Sequence, residues 1–251
     1  MLCNNTIRIL KMPVAVTSYS QASKKIISAS LQKKGRYVCV ANVHMCMETF
    51  DDPQFSRVLY NADLVVPDSK PLVWSQFLLG KKKAAQVRGS DLLLNLCEKA
   101  LKEGIPIGLY GGTPKSLNDF ITFLKSKYPD LKIPFALSPP FRELTIKEDE
   151  NHVELINASN VRILFIGIGC PKQEKWMAFH KDRVNCIMIG VGAAFDFFSG
   201  QKKQAPRWMQ HAGVEWVFRL FSDPKRLWKR YLKHNPRFVY YFLKQLLGKT
   251  Y

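Results

Sequence analysis

Short apolar runs alternate with longer amphipathic stretches along most of the chain, and this alternation restricts the fold more than any other feature. The apolar runs, such as 36–42 and 161–166, have the length of buried strands, and the stretches between them can form helices. Strands and helices that alternate in this way build βα units with parallel strands. The sequence therefore predicts an α/β fold with a Rossmann-like, mainly parallel sheet flanked by helices.

The pattern predicts six strands and six helical segments. The strands are expected at 36–42, 62–67, 105–110, 131–137, 161–166 and 185–191. The helices are expected at 43–59, with an interruption at Asp51-Asp52-Pro53, and at 69–79, 90–103, 116–128, 154–159 and 173–180. Ser90 is the predicted N-cap of its helix, and 139–151 is predicted to be a charged loop or the start of a helix.

The composition changes near Gly200, which predicts an α/β domain over 1–200 and a helical appendage over 201–251. The last 51 residues hold twelve Lys/Arg, eleven aromatic residues and only two acids, in a chain of formal net charge +18. Cations interleaved with rings at helical spacing are typical of a surface that lies on an anionic bilayer. Nucleotide phosphates, nucleic acid or a solvated basic tail remain alternatives. No apolar run approaches the roughly 18 residues of a spanning helix.

Cysteine and histidine patterns indicate neither disulfides nor a metal. The six cysteines contain no CxxC pair, and Cys39 and Cys186 fall in strand-like runs, which predicts reduced, buried thiols. The five histidines form no recognisable ligand motif. Cys170 follows Gly169 at a helix start, where the pKa of a thiol is lowered, but no base partner is evident for a nucleophile. No metal or cofactor is predicted.

Polar or glycine-rich residues follow five of the predicted strands, at the end where open parallel sheets bind ligands. They are Asn42, Asp68, the turn Gly111-Gly112-Thr113, the turn Gly167-Ile168-Gly169, and Gly192 with Asp196. Glycine turns let the backbone approach a ligand, and the helices that follow offer free N–H groups to phosphate. Three such turns predict a phosphorylated ligand, with a nucleotide as the leading candidate. Lys172 and Phe195 break the GxGxxG pattern, and Ser75 breaks a Walker A loop, so NAD chemistry and P-loop hydrolysis are disfavoured.

Asp68 can be interpreted in two ways from its position before a predicted helix. It could act as a general base near a pocket, or it could cap the helix. Because the chain has no DxD triplet, arginine could neutralise a leaving diphosphate in place of a metal. The candidates are Arg88, Arg207, Arg219, Arg226 and Arg230, and the sequence does not separate a role at the ligand from one at lipid.

Several motifs together resemble the WecG/TagA/CpsF family, glycosyltransferase family 26. The resemblance spans about residues 35–235. It is carried by GIGCPKQEKW from Gly167, by GVGAAFDF from Gly190 with Gly200, and by the tail segments APRWMQ, GVEWVFRL and PKRL. It implies a GT-E-like fold and an inverting, metal-independent transferase. The implied reaction moves a sugar from a UDP-sugar to a polyprenyl-diphosphate-linked saccharide at the cytoplasmic face of a bacterial membrane, in cell-surface polysaccharide synthesis.

The resemblance also implies roles for individual residues. Asp68 matches the proposed base, and Asn42 matches a pocket residue; Arg88 and Gln173 match further motif positions. Arginines of the appendage are implied to close over the donor, and self-association is implied as well. Nucleic acid is not an implied partner.

The chain departs from the family pattern in three places: Val40 stands for Thr, Asp68-Ser69-Lys70-Pro71 stands for the usual DG-G, and Gln204 stands for Arg. A lost hydroxyl and an added cation suggest the hypothesis of an acidic donor sugar. Two other functions remain open, a non-catalytic nucleic-acid-binding protein and a scaffold that binds donor without turnover.

Overall fold

The computed structural model describes residues 5–249 and 251, and it begins with a small hairpin that the sequence pattern did not predict. Strands β1 (Thr6–Ile9) and β2 (Met12–Ala15) pair antiparallel. Leu10 takes a positive φ of 53° in the tight turn between them. Helix α1 (Tyr19–Ser30) follows, with the Ser18 hydroxyl accepting from the N–H of Gln21 as its N-cap.

The six predicted strands are confirmed, and they form one fully parallel sheet. They are β3 (Arg36–Ala41), β4 (Leu64–Pro67), β5 (Ile107–Gly111), β6 (Phe135–Leu137), β7 (Ile163–Gly167) and β8 (Ile187–Gly190). Their order across the sheet is β4-β3-β8-β7-β5-β6. The strand predicted at 131–137 is reduced to its last three residues.

Up to residue 180, the helices that follow agree with the predicted segments in place, with corrections at their ends. The helices Tyr19–Ser30 and Ala194–Phe198 were not predicted. The helices after α1 are α2 (Val43–Asp51), α3 (Pro53–Tyr60), α4 (Lys70–Leu78), α5 (Gly89–Lys102), α6 (Pro114–Lys127), α7 (Ile146–Ala158), α8 (Lys172–His180), α9 (Ala194–Phe198), α10 (Arg207–His211), α11 (Glu215–Ser222) and α12 (Pro224–Leu246). Asp52 and Pro53 separate α2 from α3 as predicted. The segments at 139–151 and 154–159 contribute to one helix, α7, because Thr145 and Glu148 form a capping box at its start.

The prediction that Ser90 caps α5 is wrong. The helix begins one residue earlier, at Gly89, and Arg88 occupies the N-cap position without a side-chain cap. Instead, Oδ1 of Asp68 accepts a hydrogen bond from the N–H of Gly89 at 2.9 Å. A carboxylate from the end of β4 therefore satisfies the helix start that a local serine was expected to satisfy.

Both faces of the sheet are buried, as expected for parallel strands. Val38 and Phe165 pack on the face covered by α1, α5 and α6. Their neighbours along the strands, Cys39 and Leu164, pack on the opposite face with α2, α3 and α12. Cys39 and Cys186 are buried, as predicted, and Cys3 lies outside the described residues.

Helix α12 packs against the α/β body, so the alternative of a solvated tail is wrong for this segment. Phe238 and Phe242 are buried in the same core as Cys39. Arg237 forms two hydrogen bonds to the carboxylate of Asp51, at 2.6 and 2.8 Å. The amide of Gln245 bonds the backbone of the hairpin at Arg8 and Leu10. Within the described part of the chain, no helix has the length and apolar character needed to cross a membrane.

Candidate functional site

The parallel order of the sheet brings all five predicted loop ends to one edge. Across β4, β3, β8, β7 and β5, this edge carries Asp68, Asn42, Gly192, Gly169 and Gly112 in that order. Two adjoining cavities of about 470 Å³ each open there. Both are lined by Asn42, Asp68, Arg219 and Arg230. Asp68 therefore lies at the junction of the two cavities.

The first cavity, which we call the polar cleft, is lined by the glycine turns after β5, β7 and β8 together with Arg88, Asp196 and Arg226. Gly169 and Gly192 have positive φ angles of 87° and 58°, and no atom lies within 4 Å of the position that a Cβ would occupy. The backbone is therefore open to a ligand at both turns. In this arrangement phosphate oxygens can accept hydrogen bonds from amide and guanidinium donors.

Gly111 shapes the contact between β5 and β7, and its role in ligand binding stays a prediction. It is absent from the lining of both cavities. Its φ is +133°, and a Cβ there would lie 2.5 Å from the carbonyl oxygen of Gly167. The absence of a side chain at Gly111 thus permits the close approach of β5 to β7. The next residue, Gly112, does line the polar cleft.

The second cavity, which we call the apolar cavity, lies between α4, α11 and α12. Its walls include Trp74, Leu78, Phe238, Val239 and Leu243. Leu78 and Leu243 are also 65% and 54% exposed, so the apolar lining continues onto the surface. A cavity with this lining suits a hydrocarbon ligand.

The Asp68 carboxylate is held in an environment that favours its protonated form. Burial raises its pKa to about 6, and the negative charge of Glu215 acts in the same direction. Arg219, the hydrogen bond from Gly89 and Arg88 partly oppose this rise. The alternative that Asp68 caps α4 is not supported, because Ser69 holds that N-cap position. A carboxylate with a pKa near 6 is well placed to act as a base at neutral pH.

Glu215 was not predicted as a site residue, yet it connects the appendage to Asp68. Its carboxylate pairs with Nη2 of Arg219 at 2.5 Å and with Nη2 of Arg88 at 3.5 Å. Nη1 of Arg88 also donates to the amide oxygen of Gln210. One feature of the sequence could have drawn attention to Glu215: it is one of only two acids in the strongly basic segment 201–251. Only the fold brings it beside the end of β4.

The five candidate arginines differ in whether they line the polar cleft. Arg88, Arg219, Arg226 and Arg230 line the polar cleft, whereas Arg207 is exposed and lines neither cavity. Nε of Arg226 is paired with Asp223 at 2.6 Å. Nε of Arg230 is buried without a hydrogen-bond partner among the described residues. Arg230 and Arg219 also line the apolar cavity, so these two arginines lie at both cavities.

Asn42, Gln173 and Asp196 line the polar cleft and also make bonds that shape it. Oδ1 of Asn42 caps α2 by accepting from the N–H of Met45 at 3.1 Å. Oε1 of Gln173 accepts from the N–H of Gly192 at 3.2 Å. Its Nε2 donates to the buried Glu174 at 2.7 Å. The carboxylate of Asp196 pairs with Lys202 at 2.6 Å.

The surroundings of Cys170 correct one further prediction, and the structure also shows where the departures from the family pattern lie. The pKa of Cys170 is raised rather than lowered, because the thiol is buried and lies next to Glu174. Lys70 lines the apolar cavity and not the polar cleft, while Val40 lines the polar cleft. The added cation therefore lines a different cavity from the glycine turns, and the acidic donor sugar remains a hypothesis. Gln204 lines neither cavity.

The fold and the site define a class of protein. It is a parallel α/β protein with a polar cleft at the carboxyl ends of its strands, and the cleft contains a carboxylate, Asp68, whose pKa is raised. The chain belongs to the WecG/TagA/CpsF family of glycosyl transferases, whose model matches residues 7–251. The resemblance drawn from the motifs is therefore confirmed.

Similar curated proteins carry one name, N-acetylglucosaminyldiphosphoundecaprenol N-acetyl-beta-D-mannosaminyltransferase. The protein from Bacillus spizizenii (strain W23) is 30% identical over 216 residues, covering 85% of this chain and 80% of the relative. The Bacillus subtilis (strain 168) protein is 28% identical, covering 87% and 83%. The Staphylococcus aureus (strain MW2) protein is 27% identical, covering 86% and 83%.

Proposed function

We propose that this protein is an inverting glycosyltransferase that moves a sugar from a UDP-sugar to a polyprenyl-diphosphate-linked saccharide. The observation that carries the proposal is the position of Asp68 between a polar cleft and an apolar cavity. A nucleotide-sugar and a lipid-linked sugar need these two environments, with a base where the two sugars meet. The names of the relatives support N-acetylglucosaminyl-diphosphoundecaprenol as acceptor and N-acetylmannosamine as the transferred sugar.

The donor is assigned to the polar cleft. The open backbone at Gly169 and Gly192 would let the diphosphate approach these turns, and the guanidinium groups of Arg88, Arg226 and Arg230 would bind it. These fixed positive groups would stabilise the charge that develops on UDP as it leaves. The proposal therefore needs no metal at the diphosphate.

The acceptor is assigned to the apolar cavity. The first isoprene units would lie against Trp74, Val239 and Leu243, and the diphosphate would meet Lys70 or Arg230. In this assignment Lys70 acts on the acceptor, which favours a neutral donor sugar over an acidic one.

In the proposed reaction, Asp68 accepts the proton of an acceptor hydroxyl. The oxygen of that hydroxyl attacks the anomeric carbon while the bond from this carbon to the UDP oxygen breaks on the opposite face. Attack from the opposite face inverts the configuration. Asn42, which lines both cavities, would position one of the two sugars.

A membrane-bound position at the cytoplasmic leaflet is proposed for the cavity mouth. Leu78 and Leu243 line this cavity and are exposed, and Lys244 follows Leu243 on α12. Exposed apolar groups beside cations suit the interface of an anionic bilayer. Nucleic-acid binding would use the charge, but it would leave the apolar cavity without a role. Self-association remains a prediction.

The first test measures UDP release from a panel of UDP-sugars, with the acceptor in anionic vesicles and without added Mg²⁺ or Mn²⁺. We expect release with UDP-N-acetylmannosamine and N-acetylglucosaminyl-diphosphoundecaprenol, because the cleft supplies its own cations. An acceptor with a single isoprene unit should show a raised KM, since most of the apolar contact is lost.

Three results would count against this proposal. Saturable UDP binding without release for any pair would favour the scaffold, and equal KM values for long and short acceptors would remove the apolar cavity from acceptor binding. Salt-sensitive RNA binding without affinity for UDP would favour a nucleic-acid-binding protein.

The pH dependence should follow the Asp68 carboxylate. Its pKa is raised to about 6, and a base must be ionised, so the turnover rate should fall as the pH drops through about 6. A pH–rate profile measures this inflection. Glu215→Gln removes a charge that raises the pKa and should move the inflection to lower pH. An inflection that stays in place in this variant would contradict the electrostatic role of Glu215.

A further inference from the structure

Two histidines and one glutamate that are distant in sequence meet where α12 packs on α2. Nε2 of His44 and Nε2 of His234 each lie 3.5 Å from the same oxygen, Oε1 of Glu48. The three ligand atoms all lie within 4.8 Å of one another. The side chains of His44, Glu48 and His234 are 13%, 28% and 5% exposed. The cluster is therefore largely shielded but remains in contact with solvent through Glu48.

We propose that His44, Glu48 and His234 bind one divalent transition-metal ion of the zinc class. Two histidine nitrogens and a carboxylate oxygen are a donor set that Zn²⁺ uses, with a fourth position left for water. Around a tetrahedral ion with bonds of about 2.0–2.1 Å, neighbouring ligand atoms lie about 3.4 Å apart. The separations of 3.5 Å from Glu48 to each imidazole agree with that spacing.

The side chains at this cluster do not satisfy one another. A distance of 3.5 Å is too long for a good hydrogen bond. Nδ1 of His44 and Nδ1 of His234 are buried without a hydrogen-bond partner among the described residues. These Nδ1 atoms are not the nitrogens that face Glu48. The two Nε2 atoms face it, and an ion between them and Oε1 of Glu48 would bind all three groups.

The protonation state of the histidines also suits a metal. Burial lowers the pKa of His44 to about 3, and Arg230, His234 and Lys233 add to the effect. Burial and Lys233 lower the pKa of His234 as well. Both rings are thus neutral at pH 7, and neutral imidazole is the form that binds metal. Arg230, Lys233 and Arg237 would repel the ion, whereas Glu48 and Asp51 would attract it.

The ion would join the C-terminal helix to the α/β body. His44 and Glu48 lie on α2 and His234 lies on α12, and His44 also lines the apolar cavity. Binding would therefore fix α12 at the wall of that cavity. This inference does not depend on the proposed reaction.

The test uses the full chain without a histidine tag, freed of metal by chelator and dialysis. Calorimetry should find one Zn²⁺ per chain, Co²⁺ should give the visible absorption of a tetrahedral site, and Zn²⁺ should raise the Tm. Hydrogen exchange should show added protection in α12. Glu48→Gln and His234→Asn should each weaken Zn²⁺ binding at least about 10–100-fold, the loss that even outer partners of a metal cause.

His211→Asn and Glu154→Gln are matched controls, since both residues lie outside the cluster and His211 is exposed. Both should bind Zn²⁺ like the wild-type chain. Absence of Zn²⁺ binding to the wild-type chain would overturn the proposal, and so would unchanged affinity in both cluster variants. If His234→Asn does not fold, two other measurements test the site. They are the Zn²⁺ affinity of Glu48→Gln and the Co²⁺ spectrum of the wild-type chain.

Discussion

Replacing Asp68 by Asn is expected to lower the transfer rate by about 10²–10⁴-fold, the usual contribution of a general base. The amide is close in size to the carboxylate, but it cannot accept the proton of the acceptor hydroxyl. UDP should still bind, because the glycine turns and arginines of the polar cleft are unchanged. Single-turnover UDP release and UDP calorimetry measure the two properties separately.

The stability of the same variant provides the control. Because the folded-state pKa of Asp68 lies above its ordinary value, the native state binds the proton more tightly than the unfolded state. The associated stability is present below about pH 4 and is lost as the pH rises through about 6. Asp68→Asn removes a carboxylate that is unfavourable when ionised, so its Tm at pH 8 should equal or exceed that of the wild-type chain. Wild-type activity in a folded Asp68→Asn variant would end the role of Asp68 as base.

Replacing Arg230 by Leu is expected to lower kcat/KM by about 10²–10³-fold, the loss seen when one preorganised charge-stabilising donor is removed. Arg230 lines both cavities, and its Nε has no hydrogen-bond partner among the described residues. Arg230 is therefore placed to meet the diphosphate of the donor or of the acceptor. Steady-state kinetics with each substrate varied in turn would assign the loss to one of them.

Arg237→Leu is the matched control on the same helix. Arg237 lines neither cavity and is paired with Asp51 at the surface of α2. Its loss should cost at most about 1 kcal/mol of stability and leave transfer near the wild-type rate. Equal losses of transfer in the two variants would mean that positive charge on α12, and not a bond from Arg230, supports the reaction.

Local patterns in the sequence were sufficient to predict the sheet and the position of the site along each strand. Apolar runs such as 161–166 encode buried strands because burial on both faces requires continuous hydrophobicity. In a parallel sheet all carboxyl ends share one edge, so Asn42, Asp68 and the glycine turns had to meet there. The motifs around Gln173 and Glu215 also carried the family, which the family model confirms.

Other features were beyond local patterns because they depend on contacts between distant segments. The cap of α5 could not be predicted from Ser90, since the bond to Gly89 comes from Asp68 on another strand. The raised pKa of Asp68 depends on Glu215, which α11 brings to the end of β4. His44 and His234 lie at opposite ends of the sequence, so no motif could connect them.

The sequence by itself determined the α/β architecture, the sheet edge that carries the candidate site residues, and the family, because hydrophobic periodicity and turn chemistry act over a few residues. Only the tertiary structure decided that Asp68 lies between a polar cleft and an apolar cavity. It also decided which arginines line them and that α12 closes over α2. The physical reason is that a cavity, an ion pair or a shifted pKa arises from the packing of segments far apart in the chain, and the helix that completes this site is its last.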